Sequence, residues 1–271
     1  MTSYDPEPAT DLLHRIDTLR LHGHVTDLAI AGYTVLADVL SPTETTRFRA
    51  RSVELLTGAA AVDDPCGRRV WNLLRHDALF TSLLTNPQVE ALLTYLVGRH
   101  ARLSSLHINT VDPGAPAQDI HHDTPFVPPP LPPHPLVANT IWCLDDWQPG
   151  HGATEALPGS HLAATYPPAG PIALTTIECP AGSVIVTNGN LWHRSGAHPV
   201  ATGASRIGIL ALHCRRYVTP QETYTDIAEA IANGNPQLAT RLGADAPYPF
   251  GPSGPDHRFA LAQAASTSPF A

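Results

Sequence analysis

The chain has 271 residues, 43% of them hydrophobic, which suits one domain with a sizeable core. Its formal net charge is −8 and all 16 basic residues are arginine, which argues against nucleic acid or an anionic membrane as the main partner and counts against a polyanionic substrate such as an acyl-CoA. The four cysteines (Cys66, Cys143, Cys179, Cys214) have no paired spacing, the polar N-terminus is unlike a signal peptide, and no run reaches the roughly 18 apolar residues of a membrane span, so a soluble, cytoplasmic protein with reduced thiols is expected.

The first hundred residues read as mainly helical. Leu12, Leu13, Ile16 and Leu19 recur at helical spacing. A short apolar stretch, 32–40, reads as a strand and runs into Ser41-Pro42-Thr43-Glu44, a capping box with proline at the first helical position. The helix it starts should turn Phe48, Val53 and Leu56 inward. Asn86-Pro87-Gln88 opens another, with Val89, Leu92, Leu93 and Leu96 on one side and Gly98 as its stop. These helices are expected to buttress a sheet and to carry no chemistry.

From about Leu103 the texture changes to short β-type runs separated by glycine and proline: 103–111, 120–125, 139–147, 183–188 and 206–216. Such a series suggests a sandwich or barrel. Between the second and third runs lies the proline-rich segment 127–135, too rich in proline for a sheet interior, which reads either as a lid or as an ordinary surface loop. After Pro220 a weak helical pattern reaches about Leu242, and a Pro/Gly/Ser-rich tail follows.

Within His121-His122-Asp123, side chains at i and i+2 of an extended segment share a face, so His121 and Asp123 converge while His122 points away. A third ligand, His193, follows the strand-like run 182–188, and 193 − 121 = 72 residues leave room for several intervening strands. Two histidines and one carboxylate suit iron(II) with open coordination positions, and the same set also binds zinc. In a chain with 15 histidines, His-x-Asp alone does not single out a metal site.

The surrounding motifs do more. Pro113-Gly114 followed by Gln118-Asp-Ile-His121-His-Asp123, then Ile141-Trp142-Cys143-Leu144-Asp145, Gly152 through Pro158-Gly-Ser-His161, and Gly182 through Trp192-His193-Arg-Ser195-Gly196 occur in one order. Together they resemble the phytanoyl-CoA dioxygenase family of Fe(II)/2-oxoglutarate-dependent oxygenases over roughly 41–217. The resemblance implies a mainly β fold with helical decoration, a double-stranded β-helix (jelly-roll, cupin-like) core over 103–217, a mainly helical part over 1–102, and a C-terminal helical segment and tail over 218–271, all in one oxygenase domain.

It further implies that His121, Asp123 and His193 hold Fe(II) and that Arg206 grips the distal carboxylate of 2-oxoglutarate. Arg206 lies 206 − 193 = 13 residues beyond the distal histidine, a spacing that keeps Arg194, Arg215 and Arg216 as fallbacks. A guanidinium suits this work because it binds a carboxylate bidentately and cannot lose its charge. Gly208, on the same strand face, is expected to leave room for the ligand. Gln118, Trp142, Thr154 and Ser195 match co-substrate contacts, whereas His107, His151, His198 and His213 read as structural and His161 as fixing a turn.

The implied activity couples O2 and 2-oxoglutarate to oxidation, most simply hydroxylation, of a C–H bond, releasing succinate and CO2. The retained Asp123 carboxylate favours hydroxylation over halogenation. Phe126, Val127 and Leu131, with Trp147 beyond them, suggest a small, largely apolar metabolite as partner, and the arginine- and alanine-rich composition suggests by analogy a natural-product setting. Three rivals stay open: a cupin-like metalloenzyme needing the three ligands but not Arg206, a non-catalytic metal- or ligand-binding protein, and a zinc hydrolase on the same ligands.

Overall fold

A computed structural model describes residues 9–163, 165, 172–199 and 203–244; the Pro/Gly/Ser-rich tail lies outside the described residues. Its strands, in chain order, are β1 (Tyr33–Leu36), β2 (Val62–Asp64), β3 (Gly67–Val70), β4 (Arg102–Val111), β5 (Val137–Cys143), β6 (Thr154–Ala156), β7 (Thr175–Thr176), β8 (Val184–Asn188), β9 (His193–Ser195) and β10 (Arg206–Cys214). Seven form one antiparallel sheet in the order β1-β8-β5-β10-β4-β3-β2, and β7-β6-β9 form a second of three strands. This is a jelly-roll core, mostly antiparallel, with helices packed on one side.

Strand alternation explains why the larger sheet has two different faces. Leu106 and Ile108 of β4, Ala138 and Trp142 of β5, Val184 and Val186 of β8, and Ile207, Ile209 and Ala211 of β10 all join one buried cluster with the helices. The intervening Ile141, Cys143 and Ile185 instead join Ala156, Ile177 and Trp147 in a second cluster between the sheets. A strand such as β4, nine of whose ten residues are buried, reads as polar on one face and apolar on the other only because a cavity lies under its polar face.

The helices form where capping and periodicity direct. Helix Pro42–Thr57 starts at the expected capping box: the Glu44 N–H donates to Ser41 Oγ and the Ser41 N–H to Glu44 Oε2. Such a cap contributes about 1 kcal/mol. Its buried stripe is Phe48, Ser52, Leu55 and Leu56, and Val53 is exposed, contrary to expectation, because i, i+4, i+7 and i+8 share a face that skips i+5. Likewise, in helix Ala9–Thr18, Ile16 is buried while Leu13 is exposed. Helix Pro87–Val97 runs as expected, from the Asn86 cap to Gly98, with Val89, Leu92, Leu93 and Leu96 buried.

Several boundaries differ from the sequence reading. The run 32–40 pairs only as Tyr33–Leu36, and 139–147 leaves the sheet after Cys143. The first hundred residues are not only helical, since β2 and β3 extend the main sheet beside β4. Residues 120–125 form no strand; a single bridge from His121 to His193 replaces it. Helices Ala228–Ala232 and Pro236–Arg241 account for the weak pattern after Pro220. No helix among the described residues is long and apolar enough to cross a membrane.

Candidate metal centre and co-substrate cavity

The backbone of the loop before Pro125 is pinned at two points. His121 and His193 exchange N–H···O bonds of 2.9 and 2.8 Å, and the Asp123 N–H donates to Gly189 at 2.9 Å. Alternation along this extended loop survives without a strand, so His121 and Asp123 turn to one side. His122 turns to the other, buried edge-on against Trp192 and beside Thr124. One ligand atom from each of His121, Asp123 and His193 lies within 4.8 Å of the others.

Hydrogen bonding orients these donors. His121 Nδ1 lies 2.9 Å from the Asp119 carbonyl and His193 Nδ1 lies 2.9 Å from the Leu191 carbonyl. A carbonyl only accepts, so both rings carry their proton on Nδ1 and present the Nε2 lone pair. Asn139 Nδ2 donates to Asp123 Oδ2 at 3.3 Å, and Asp123 Oδ1 faces His193 Nε2 at 3.8 Å. Desolvation, then the neighbouring His193, lowers the His121 pKa and favours the neutral ring that a metal requires. Two imidazoles and a tethered carboxylate fit a divalent first-row ion.

A cavity of about 170 Å³ opens beside these three residues. At one end lies Arg206, 2% exposed. Its Nε and Nη2 donate to the Gly152 carbonyl at 3.0 and 2.6 Å, Nη2 lies 3.4 Å from Ser195 Oγ, and its guanidinium stacks on Trp147 at 4.0 Å. No carboxylate among the described residues pairs with it. Burial pulls its pKa down to about 10, so it stays charged at neutral pH. An unpaired buried cation is costly, which calls for an anion in the cavity.

Gln118, Thr154 and Ser195 line the same end. Ser195 is fixed between its neighbours: its N–H donates to Gln118 Oε1 at 3.1 Å, and it sits opposite Thr154 across β6 and β9. Trp142 does not line the cavity. It occupies an even position of β5, facing the helices, while Ile141 and Asn139 face the cavity. Gly208 is needed for a different neighbour than expected: an added Cβ would come within 2.9 Å of Trp147 Cη2. The small residue lets Trp147 lie over the strand and stack on Arg206.

Arg194, a fallback, pairs instead with Glu155 at 2.7 Å, and Arg215 donates to the Pro135 carbonyl at 2.7 Å. The proline-rich segment is tied down by that bond and by Asn190 Nδ2 donating to Pro132 at 3.1 Å. None of Phe126, Val127 and Leu131 lines the cavity; of the apolar residues expected there only Trp147 does.

The phytanoyl-CoA dioxygenase (PhyH) family profile matches residues 29–208. The chain belongs to the phytanoyl-CoA dioxygenase family. It thereby falls among the 2-oxoglutarate-dependent non-haem iron dioxygenases, whose requirements are iron(II), 2-oxoglutarate and O2. Among similar members, Dioxygenase af480 of Aspergillus fumigatus is 29% identical over 206 residues, covering 74% of this chain and 66% of that protein. Dioxygenase trt7 of Aspergillus terreus is 26% identical over 231 residues, covering 78% and 79%.

Solved structures share this family member's fold. The epimerase SnoN in complex with Fe3+, alpha ketoglutarate and nogalamycin RO superposes with a TM-score of 0.62 at 22% identity over 76% of this chain and 88% of its own. The carbocyclase SnoK from nogalamycin biosynthesis gives 0.60 at 20% identity, over 72% and 84%.

The β4 wall of the cavity, leading away from Arg206, did not stand out in the sequence. It starts at Asn109, opposite Gly208, and continues through His107 and Ser105, with Arg69, Trp71 and Gln221 also lining the cavity. His107, expected to be structural, lies inside the cavity with Trp71 stacked on it at 4.2 Å and 29°. Burial, then the Arg69 charge, drives its pKa down to about 3. The available signal was the polar alternation Ser105, His107, Asn109 within a strand otherwise composed of core residues.

Proposed function

We propose that this chain oxidises a C–H bond of a small molecule in natural-product biosynthesis, with iron(II) on His121, Asp123 and His193 and the distal carboxylate of 2-oxoglutarate on Arg206. The observation that carries this reading is the buried Arg206 guanidinium, unpaired with any described carboxylate, in the same cavity as the three-ligand cluster. A cupin-like metalloenzyme without 2-oxoglutarate has no need of that charge. The names of the relatives support the class, and the nogalamycin enzymes support a natural-product setting.

Each residue then has a defined task. His121 and His193 keep their Nε2 lone pairs forward because their Nδ1 protons are held by backbone carbonyls. Asn139 holds one oxygen of Asp123 and leaves the other for the metal. Arg206, Ser195 and Thr154 fix the far carboxylate of the co-substrate, and Trp147 walls that end from water. The bound iron supplies the redox chemistry by which O2 converts 2-oxoglutarate to succinate and CO2 while the substrate is oxidised. Retention of Asp123 as carboxylate supports hydroxylation over halogenation. The helices and the sheet share one buried cluster, which supports reading the described residues as a single oxygenase unit.

Anaerobic titration with iron(II) and 2-oxoglutarate tests the reading. A visible metal-to-ligand charge-transfer band is expected in the wild-type protein, with slow succinate formation once O2 is admitted. Absence of both from folded protein would sink it.

A further inference from the structure

The β4 wall of the cavity, which starts opposite Gly208 and leads away from Arg206, has no task in the reading above, on which this inference rests for the position of the reacting centre. Ser105, His107 and Asn109 occupy alternate positions of β4 and share its cavity face, successive members standing about 7 Å apart. They are 0%, 6% and 4% exposed. Yet Ser105 Oγ, both ring nitrogens of His107 and Asn109 Oδ1 have no hydrogen-bond partner among the described residues, and neither has Asn139 Oδ1 on the cavity-facing side of β5. Buried polar atoms are nearly always paired, and a row left unpaired along one cavity wall is destabilising unless a ligand completes it.

The wall is neutral. Arg69, its one cation, is paired with Asp64 at 2.7 Å. His107 is deprotonated by its burial and so presents one N–H and one lone pair, a combination that reads a hydroxyl as both donor and acceptor. Trp71 adds a flat apolar surface beside it. The turn that carries Trp71 is held rigidly: Asn72 takes a left-handed conformation (φ 57°), and Glu222 accepts from the Asn72 N–H at 2.9 Å and from the Leu106 N–H at 2.8 Å. Leu106 is available for this because β3 pairs only with Ile108 and Asn109 of β4. Gln221, exposed, stands at the mouth.

We infer that this wall recognises the substrate, and that the substrate is a ring-bearing molecule with neutral oxygen functions (hydroxyl, ether or carbonyl) hydrogen-bonded by His107 and Ser105, the two members of the row that stand away from Arg206. A plain hydrocarbon would leave the row of polar atoms buried and unpaired. An anionic thioester would find no free positive charge at this end. The ring is stacked against Trp71, and the oxygen functions fix which C–H bond meets the metal.

The test is equilibrium dialysis of the full chain, loaded anaerobically with iron(II) and 2-oxoglutarate, against 2-naphthol, naphthalene and 2-naphthoate. The wild type is expected to bind 2-naphthol about tenfold more tightly than naphthalene or 2-naphthoate, the equivalent of one good hydrogen bond. His107→Phe keeps a ring against Trp71 and should reduce the naphthol advantage to about twofold, with the charge-transfer band retained. It should also raise the melting temperature, because two orphaned nitrogens are gone, whereas loss of a merely structural histidine would lower it. Ser105→Ala, the gentler variant, should cut the advantage by about threefold. Equal binding of naphthol and naphthalene to the wild type, a preference for naphthoate, or discrimination surviving both variants would overturn the inference. So would weakened 2-oxoglutarate binding in His107→Phe with probe binding untouched. Failure of the iron and 2-oxoglutarate reading would appear separately, as a missing band in the wild type.

Discussion

At one end of the cavity a single full charge, Arg206, is held by a carbonyl, a hydroxyl and an indole face; away from it, the neutral polar atoms of His107 and Ser105 lie on β4, with Trp71 stacked on His107. The first end suits one ligand of fixed charge and shape, because a guanidinium buried without a counter-ion discriminates strongly for an anion. The second suits ligands that vary, because hydroxyl, amide and imidazole groups accept several arrangements of oxygen. On the reading proposed above, the difference teaches that a co-substrate shared by a family and a substrate peculiar to one member would be recognised by different physics within one cavity.

The largest expected effect falls on neither end but on the centre that joins them. Asp123→Ala should weaken iron binding by at least about 100-fold, while His122→Ala should leave it within about twofold, both read by anaerobic iron titration. Comparable losses in the two variants would mean that alternation along the loop is misassigned. Next comes Arg206→Ala. It should weaken 2-oxoglutarate binding by about 100-fold or more, with iron affinity retained, and Arg206→Lys should not restore it because a point charge lacks the planar fork. A smaller effect is expected from Gly208→Ala. The added methyl meets Trp147 and displaces its ring from Arg206, raising the Kd of 2-oxoglutarate by about tenfold.

The smallest effect separates the two ends by pH. His107, at about 3, and His213, well below the ordinary value, are both lowered chiefly by burial. Their unfolded-state pKa is about 6.5, so the unfolded chain binds more protons below that value. Stability should therefore be full above about pH 6.5 and decline steadily as the pH falls toward 3, read from melting temperatures across that range. His107→Phe should flatten part of the decline. Arg206, at about 10, keeps its charge throughout and contributes nothing to it.

Much of this was legible from residues that carry a short-range signal. The Ser41 and Asn86 caps are written within four residues, and the gathering of His121, Asp123 and His193 follows from alternation plus one distant strand end. Trp142 was misread because a motif gives its neighbourhood but not its face; the face depends on pairing with β8 and β10, which only the assembled sheet fixes. The meeting of His107 with Trp71 was not legible for a related reason. They lie 36 residues apart (107 − 71) and meet only because β3 docks against β4. Residues 120–125 have strand composition yet lack a partner edge except at the His121–His193 bridge. Apolar residues near the proline-rich loop suggested the substrate's character, but composition does not say which side chains reach the cavity.

One consequence of the two-faced β4 concerns inheritance. Positions 105, 107 and 109 face the cavity, whereas 106 and 108 hold the helices, so a change of ligand and a change of fold fall on different codons of one strand. Descendants of a common ancestor can exchange the odd positions one at a time, acquiring new substrates, while the even positions keep the protein folded through every intermediate.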